Sequence, residues 1–299
     1  MNTPIEDFAQ APQRDAGYYT HNNEISDQIF KFLEEHSPVR ELTTPKPMNN
    51  VLSKTYIVEH DEGTAYQVVG NAEVPRAEDV TTQFTVFLHR NATGYKIDDD
   101  QRRINSDDPQ YEAKKMKRAM ERLLEKENKD ILNVMLRGAQ TITTIPVSGA
   151  FDVEAIADTA AAMVVRARTG SRPMKIQPDV ILMPYEMFVE LQKDPKFQYV
   201  PEIYQHILLQ AKLQEGGNRG FTYGDTGQQV AGLRIITMNE LSNTAIIMDS
   251  TKEALWLAED QAPKVTKYRD DEHITDIVDI RHDEQPVCVF PECFGAIKK

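Results

Sequence analysis

Asp225-Thr226-Gly227 is the tripeptide of this sequence whose residue types come nearest to catalytic machinery. Aspartic proteases set two such aspartates face to face, where like charge makes them share one proton, and each carboxylate needs a firm apolar strand beneath it. Here the triplet sits among Tyr223, Gly224, Gln228 and Gln229 in a glycine-rich stretch, so it is read as part of a loop without catalytic role. His273 and His282, interspersed with Asp276, Asp279 and Asp283, offer imidazole and carboxylate, the donor types of a zinc-class site. Polar residues alternating along the outer face of an edge strand produce the same pattern, and that is the reading adopted. Cys288 and Cys293 are too few for a disulfide framework and lack further ligands for zinc, so both are read as packed thiols. No glycine cluster ends in Gly-Lys-Ser/Thr, and neither G-x-S-x-G nor H-E-x-x-H occurs. No catalytic, cofactor-binding or metal-ligating residue is therefore assigned, no cofactor is expected, and the chain is not read as an enzyme.

The elements around these residues are more informative than the residues themselves. Residues 1–50 are polar and broken by Pro38, Pro45 and Pro47, with one amphipathic stretch at 24–35 in which Ile25, Ile29, Phe30 and Leu33 recur at helical spacing after Asn23. Such an arm cannot build a core alone and is expected to be disordered or to lie along another surface. From 53 to 95 the period becomes two: Tyr56 and Val58, Tyr66 and Val68, then Phe84, Val86 and Leu88, with turn residues between. This predicts a long two-stranded excursion followed by a longer strand from Phe84, and with few large apolar residues between Gly70 and Thr82 the excursion is either a mobile hairpin or an element that packs on a neighbour. A long helix over 111–137 follows SDDP, with Met116, Met120, Leu123, Ile131 and Val134 as a narrow apolar stripe and Lys114, Lys115, Lys117, Arg118, Glu121, Arg122, Glu125 and Lys129 on the other faces. At 1.5 Å per residue it spans roughly 40 Å. The run KKMKR at 114–118 is read as a solvated helix face, because glutamates interrupt its charge.

Beyond the helix the pattern is α/β. Helices are expected at 152–168, 185–191 and 201–213, and strands at 180–183, 233–237 and 244–248, with six glycines making a loop of 214–232. Strand-type sequence returns at 273–281, close to the end, so the last strands are expected to pair with early ones.

Composition bounds the answer. The chain has 299 residues, is 40% hydrophobic, and can bury one large or two modest cores. No apolar run approaches the roughly 18 residues of a membrane span, and the acidic, polar start lacks the features of a signal peptide, so no membrane partner and a cytosolic chain are expected. A net charge of −13 argues against a broad grip on phosphate, so any contact with DNA is expected to be weak and local.

This order of segments resembles the major capsid proteins of tailed bacteriophages and related archaeal viruses, the Hong Kong 97-like fold that encapsulin shells share. The resemblance covers nearly the whole chain and includes PDVILMPYEMFVEL at 178–191 and the tail from LSNTAIIMDSTKEALWLAED through VTKYRDDEHITDIVDIRHDEQPVCVFPECFGAIKK. It implies an α+β fold with an N-terminal arm (1–50), an E-loop β-hairpin (51–83), a peripheral domain with the long spine helix (84–150 and 259–284), and an axial domain (151–258 and 285–299). It further implies a subunit that self-assembles through pentamers and hexamers into an icosahedral virion capsid around double-stranded DNA, built in the host cytoplasm with a separate scaffolding protein and a portal. An encapsulin-type nanocompartment is the alternative, and a soluble enzyme with an unrecognised site a more remote one. Lys54 is the one lysine within 51–83 and no asparagine partner is assigned to it, so crosslinking is not expected.

Overall fold

The computed structural model describes residues 20–21, 23–49, 51–60, 80–105, 110–146, 149–169, 173–198, 225–260 and 263–299. In chain order these form β1 (Thr20–His21), α1 (Asn23–His36), β2 (Thr44–Pro47), β3 (Ser53–His60), β4 (Val80–Phe87), β5 (His89–Asp98), α2 (Asp99–Ile104) and α3 (Tyr111–Gly138). They continue with β6 (Gln140–Thr144), α4 (Val153–Thr169), β7 (Val180–Met183), α5 (Tyr185–Leu191), α6 (Pro195–Gln198), β8 (Asp225–Val230), β9 (Leu233–Thr237) and β10 (Thr244–Met248). Last come β11 (Leu255–Glu259), β12 (Lys264–Asp270), β13 (Thr275–Cys288) and β14 (Phe294–Lys298).

Two six-stranded sheets and one two-stranded ribbon organise these elements. In the first sheet the order is β1-β12-β13-β11-β2, with β5 also paired to β13. β13 runs antiparallel to β5 from Thr275↔Asp98 to Glu284↔His89, so the end of the chain does pair with an early strand. The second sheet has the order β6-β14-β10-β7-β9-β8 and is antiparallel except at β7/β9 and β14/β6. Helix α4 lies so close on β14 that a Cβ at Gly295 would stand 2.5 Å from Met163 Sδ, which leaves no room for a side chain there.

Each sheet has its own core, and α3 serves both. Its first half sends Met116, Ala119, Met120 and Leu123 into a cluster with Ile29 and Leu33 of α1, Tyr95 and Ile97 of β5, and Val265, Val278 and Ile280. Its second half sends Ile131, Leu132 and Met135 into the larger cluster built on β7, β9, β10 and β14. The amphipathic stretch of the arm is thus packed on the subunit's own core, and Val39 and Leu42 just after it reach the second cluster.

Several expectations are corrected at the level of single elements. The segment from Phe84 is not one strand: β4 ends at Phe87 in the ribbon and β5 opens the next sheet, so the ribbon crosses the expected 83/84 boundary. β11 and the end of β13 pair with each other in the first sheet, so 255–258 and 285–288 lie with it and not with the strands of the axial segment. Asp225-Thr226-Gly227 opens edge strand β8, whose ladder to β9 is interrupted between Asp225 and Gln229, where a loop was expected. Lys115 is half-buried, because its ammonium donates to the Lys96 carbonyl at 2.7 Å and to Gln101 Oε1 at 2.8 Å. The expected strand at Tyr66 and Val68, the SDDP start of the long helix and the helix at 201–213 lie outside the described residues.

Leu123→Asp should cost at least about 3 kcal/mol, since truncating a buried leucine alone costs about 2–5 and a buried unpaired carboxylate adds to it. Arg118→Glu, on the exposed face of the same helix, should stay within about 0.5 kcal/mol of the parent. Soluble yield and chemical denaturation of the two variants check this; equal tolerance of both would contradict the helix register.

Candidate functional site

The residues considered for chemistry do not converge. His273 is exposed in the turn before β13 and its Nδ1 lies 2.8 Å from Asp270 Oδ2. Asp276 is buried between two guanidinium groups, Arg102 at 2.7 Å and Arg269 at 3.3 Å, while Asp283 is bound in fork fashion by Arg90 at 2.8 and 3.0 Å. Asp279 pairs with Arg281 at 3.4 Å. Cys293 is buried and donates to Met174 Sδ at 3.6 Å, and burial pushes both Cys288 and Cys293 up to about 12, so neither is a nucleophile near neutral pH. His282 overturns its expectation most clearly. It was read as a surface residue on an edge strand, yet β13 is flanked on both sides and His282 is 1% exposed. Its even-numbered neighbours Val278, Ile280 and Glu284 share the buried face, as the two-residue period requires.

What the fold does present is the β3–β4 ribbon. Its eight register pairs run from Ser53↔Phe87 to His60↔Val80, and the Leu88 N–H closes the base on the Leu52 carbonyl at 3.0 Å. Because side chains alternate, one face carries Tyr56, Val58, Phe84 and Val86, and this face docks on the first sheet. Trp256 of β11 is the anchor: its ring lies 5.4 Å from Tyr56 edge-on and 5.5 Å from Phe84, and the Lys46 ammonium covers it at 4.4 Å. The Tyr56 hydroxyl reaches Met48 Sδ at 3.3 Å. The opposite face has no such cover. Ile57 is 59% exposed and Phe87 60%. By strand alternation this face also carries Ser53, Thr55, Gln83 and Thr85, so Ile57 and Phe87 are the large apolar side chains that it leaves in water.

A buried polar group fastens the N-terminal segment beneath α3. Arg40 donates to Glu127 at 2.8 Å and is also paired with Glu259, Ser37 donates to Asn128 Oδ1 at 2.7 Å, and Asn91 donates to Glu284 Oε1 at 2.7 Å. Burial, with the Glu284 carboxylate beside it, raises Glu127 to about 7. Burial likewise raises Glu284 and lowers His282, so the imidazole is held neutral. The sequence reading missed these residues, although Glu127 stands four residues from both Leu123 and Ile131 and so interrupts the apolar stripe on the buried face. Trp256 carried a signal too, as the single tryptophan of the chain.

Two six-stranded sheets crossed by one long helix, with a β-ribbon docked on the first sheet through Trp256, define the subunit. The sequence pattern of the family described as phage capsid protein matches residues 81–293, more than half of the chain, and the chain belongs to that family. It is a structural protein of the capsid class with the Hong Kong 97-like fold, not an enzyme. Among solved structures it is similar to the bacteriophage PhiM1 mature capsid, at 14% identity and a TM-score of 0.59 with 96% of this chain and 90% of that chain covered. The virus-like particle from Pyrococcus furiosus gives 12% identity and a TM-score of 0.58 over 91% and 96% of the two chains. The SrpI encapsulin complex from Synechococcus elongatus PCC 7942 gives 11% and 0.56 over 87% and 86%. No curated protein matches the sequence at a significant level.

Trp256→Ala should destabilise the subunit by about 3–5 kcal/mol, the range for truncating a buried aromatic. Phe87→Ser, on the uncovered face, should move subunit stability by no more than about 0.5 kcal/mol. Denaturant melts of the unassembled subunit check both; a large loss with Phe87→Ser would mean that this face is covered within the subunit.

Proposed function

We propose that this chain is a major capsid protein that self-assembles through pentameric and hexameric capsomers into an icosahedral shell enclosing viral double-stranded DNA. The observation that carries the reading is the β3–β4 ribbon, whose outer face leaves Ile57 and Phe87 exposed for a neighbouring subunit to cover in this reading. A patch that one subunit cannot bury, and that meets a different patch on the next copy, makes a heterologous contact, and such contacts close by rotation into rings and shells. In this reading residues 1–50 are the arm, the ribbon is the base of the E-loop, the first sheet and α3 form the peripheral domain, and the second sheet forms the axial domain around the symmetry axes. The net charge of −13 suits a lining that holds DNA without gripping it. Assembly takes place in the host cytoplasm, with a separate scaffolding protein and a portal as partners.

Similarity to an encapsulin at a TM-score of 0.56 keeps a protein-filled nanocompartment as the second reading. Particles purified from the native source separate the two: nuclease-protected double-stranded DNA supports the viral capsid, and an enzyme cargo with no protected DNA supports the compartment.

Replacing residues 61–79 by Asn-Gly, which keeps the docked base of the ribbon and closes it with a two-residue turn, should leave cooperative unfolding intact and abolish particles. Phe87→Asp combined with Ile57→Asp should do the same. Size-exclusion chromatography with light scattering reads the outcome; normal particles from both variants would remove the ribbon from the assembly contact.

A further inference from the structure

Where Glu127 interrupts the stripe of α3, it faces His282 and Glu284 of β13, and the three are 0%, 1% and 2% exposed. One donor atom from each can be chosen so that all lie within 4.8 Å of one another. His282 Nδ1 is 3.2 Å from Glu284 Oε2 and 3.9 Å from Glu127 Oε2. Both ring nitrogens of His282 have no hydrogen-bond partner, and Glu127 Oε1 and Glu284 Oε2 have none unless the two carboxyl groups share a proton. Orphaned polar atoms at this depth are costly, and a group in which one donor atom from each of three buried residues can meet calls for an occupant.

Charge says what the occupant must carry. Glu127, Glu284 and the adjoining Glu259 bring three carboxylates to the cluster, against which the described residues set the Arg40 guanidinium on Glu127 and Glu259. A dication closes that balance. The spacing suits a small one, because ligands about 2.0–2.2 Å from a tetrahedral metal lie roughly 3.3–3.6 Å apart, close to the separation of Nδ1 and Glu284 Oε2. The remaining ring nitrogen, Nε2, looks toward Glu259 Oε2 at 3.8 Å, the carboxylate-behind-histidine arrangement that orients an imidazole on a metal. One imidazole with two carboxylates suits borderline transition ions, whereas magnesium and calcium take all-oxygen sets of six or more.

We propose that Glu127, His282 and Glu284 form a structural site for one divalent transition-metal cation of the zinc class, clamping the long helix α3 onto strand β13. The competing occupant is a pair of protons on the same carboxylates. The proposal does not depend on what the shell encloses.

The test uses untagged full-length protein. After chelator treatment and dialysis against excess zinc, mass spectrometry of the metal content should give about one zinc per subunit. Zinc at 100-fold its dissociation constant should raise the melting temperature of metal-free protein by about 4 °C. His282→Gln and Glu284→Gln should each lose the bound equivalent and the thermal response. His273→Ala, which removes an exposed imidazole elsewhere, should keep both. Should the two buried-site variants fail to fold, the parent's stoichiometry and its zinc-dependent melting still decide. A parent that takes up less than about 0.1 equivalent of zinc, cobalt or manganese with no thermal response overturns the site and leaves the carboxylates protonated. So does zinc uptake that survives His282→Gln or disappears with His273→Ala.

Discussion

The antiparallel ladder between β5 and β13 is the constraint on which the rest of the subunit depends. It joins positions some 190 residues apart along the chain at residues 89–98 and 275–284, so everything between must leave the first sheet and return to it. Loop closure of that size carries an entropic cost that local contacts cannot offset until the ladder forms. Strands β6 to β10 of the second sheet lie within that excursion, and β14 follows it. The long helix α3 ties the two together, with one half in each core, and a shift of the helix along its axis would disturb both cores at once. That rigidity suits a shell subunit, which must pass force between neighbours without changing shape.

The ribbon shows how one element divides its loyalties. Strand alternation gives it two faces, and the fold satisfies the face with Tyr56 and Phe84 through Trp256 while leaving Ile57 and Phe87 in water. In the proposed shell a neighbouring subunit would cover the outer face, and side-chain alternation alone would then divide the ribbon between two subunits.

Much of the second sheet was legible in the sequence. Val180–Met183, Tyr185–Leu191, Leu233–Thr237 and Thr244–Met248 form as read, since short buried apolar runs bounded by proline, glycine and turn residues have few other solutions. β6 was invisible because Gln140–Thr144 has no apolar alternation and owes its strand geometry to its partner β14. His282 and Glu284 were misjudged for a related reason: one sequence shows the two-residue period of a strand, but not whether its neighbours make it central or edge. Glu127 could have been found, because a carboxylate at a stripe position predicts a buried partner. The expectation that the stretch from Gly70 to Thr82 cannot be buried in its own subunit falls almost wholly outside the described residues, and the docking of the ribbon on Trp256 depends on two segments about 170–200 residues apart in sequence and could not be read locally.

The central claim is that the subunit completes its apolar contacts on copies of itself. Cryo-electron microscopy of the untagged full-length protein, expressed alone and with the genes that neighbour its own, tests it most directly. The account predicts closed shells with five-fold vertices, in which the face bearing Ile57 and Phe87 lies against an adjacent subunit. Compact monomers under every condition, or shells in which that face stays in solvent, would contradict it.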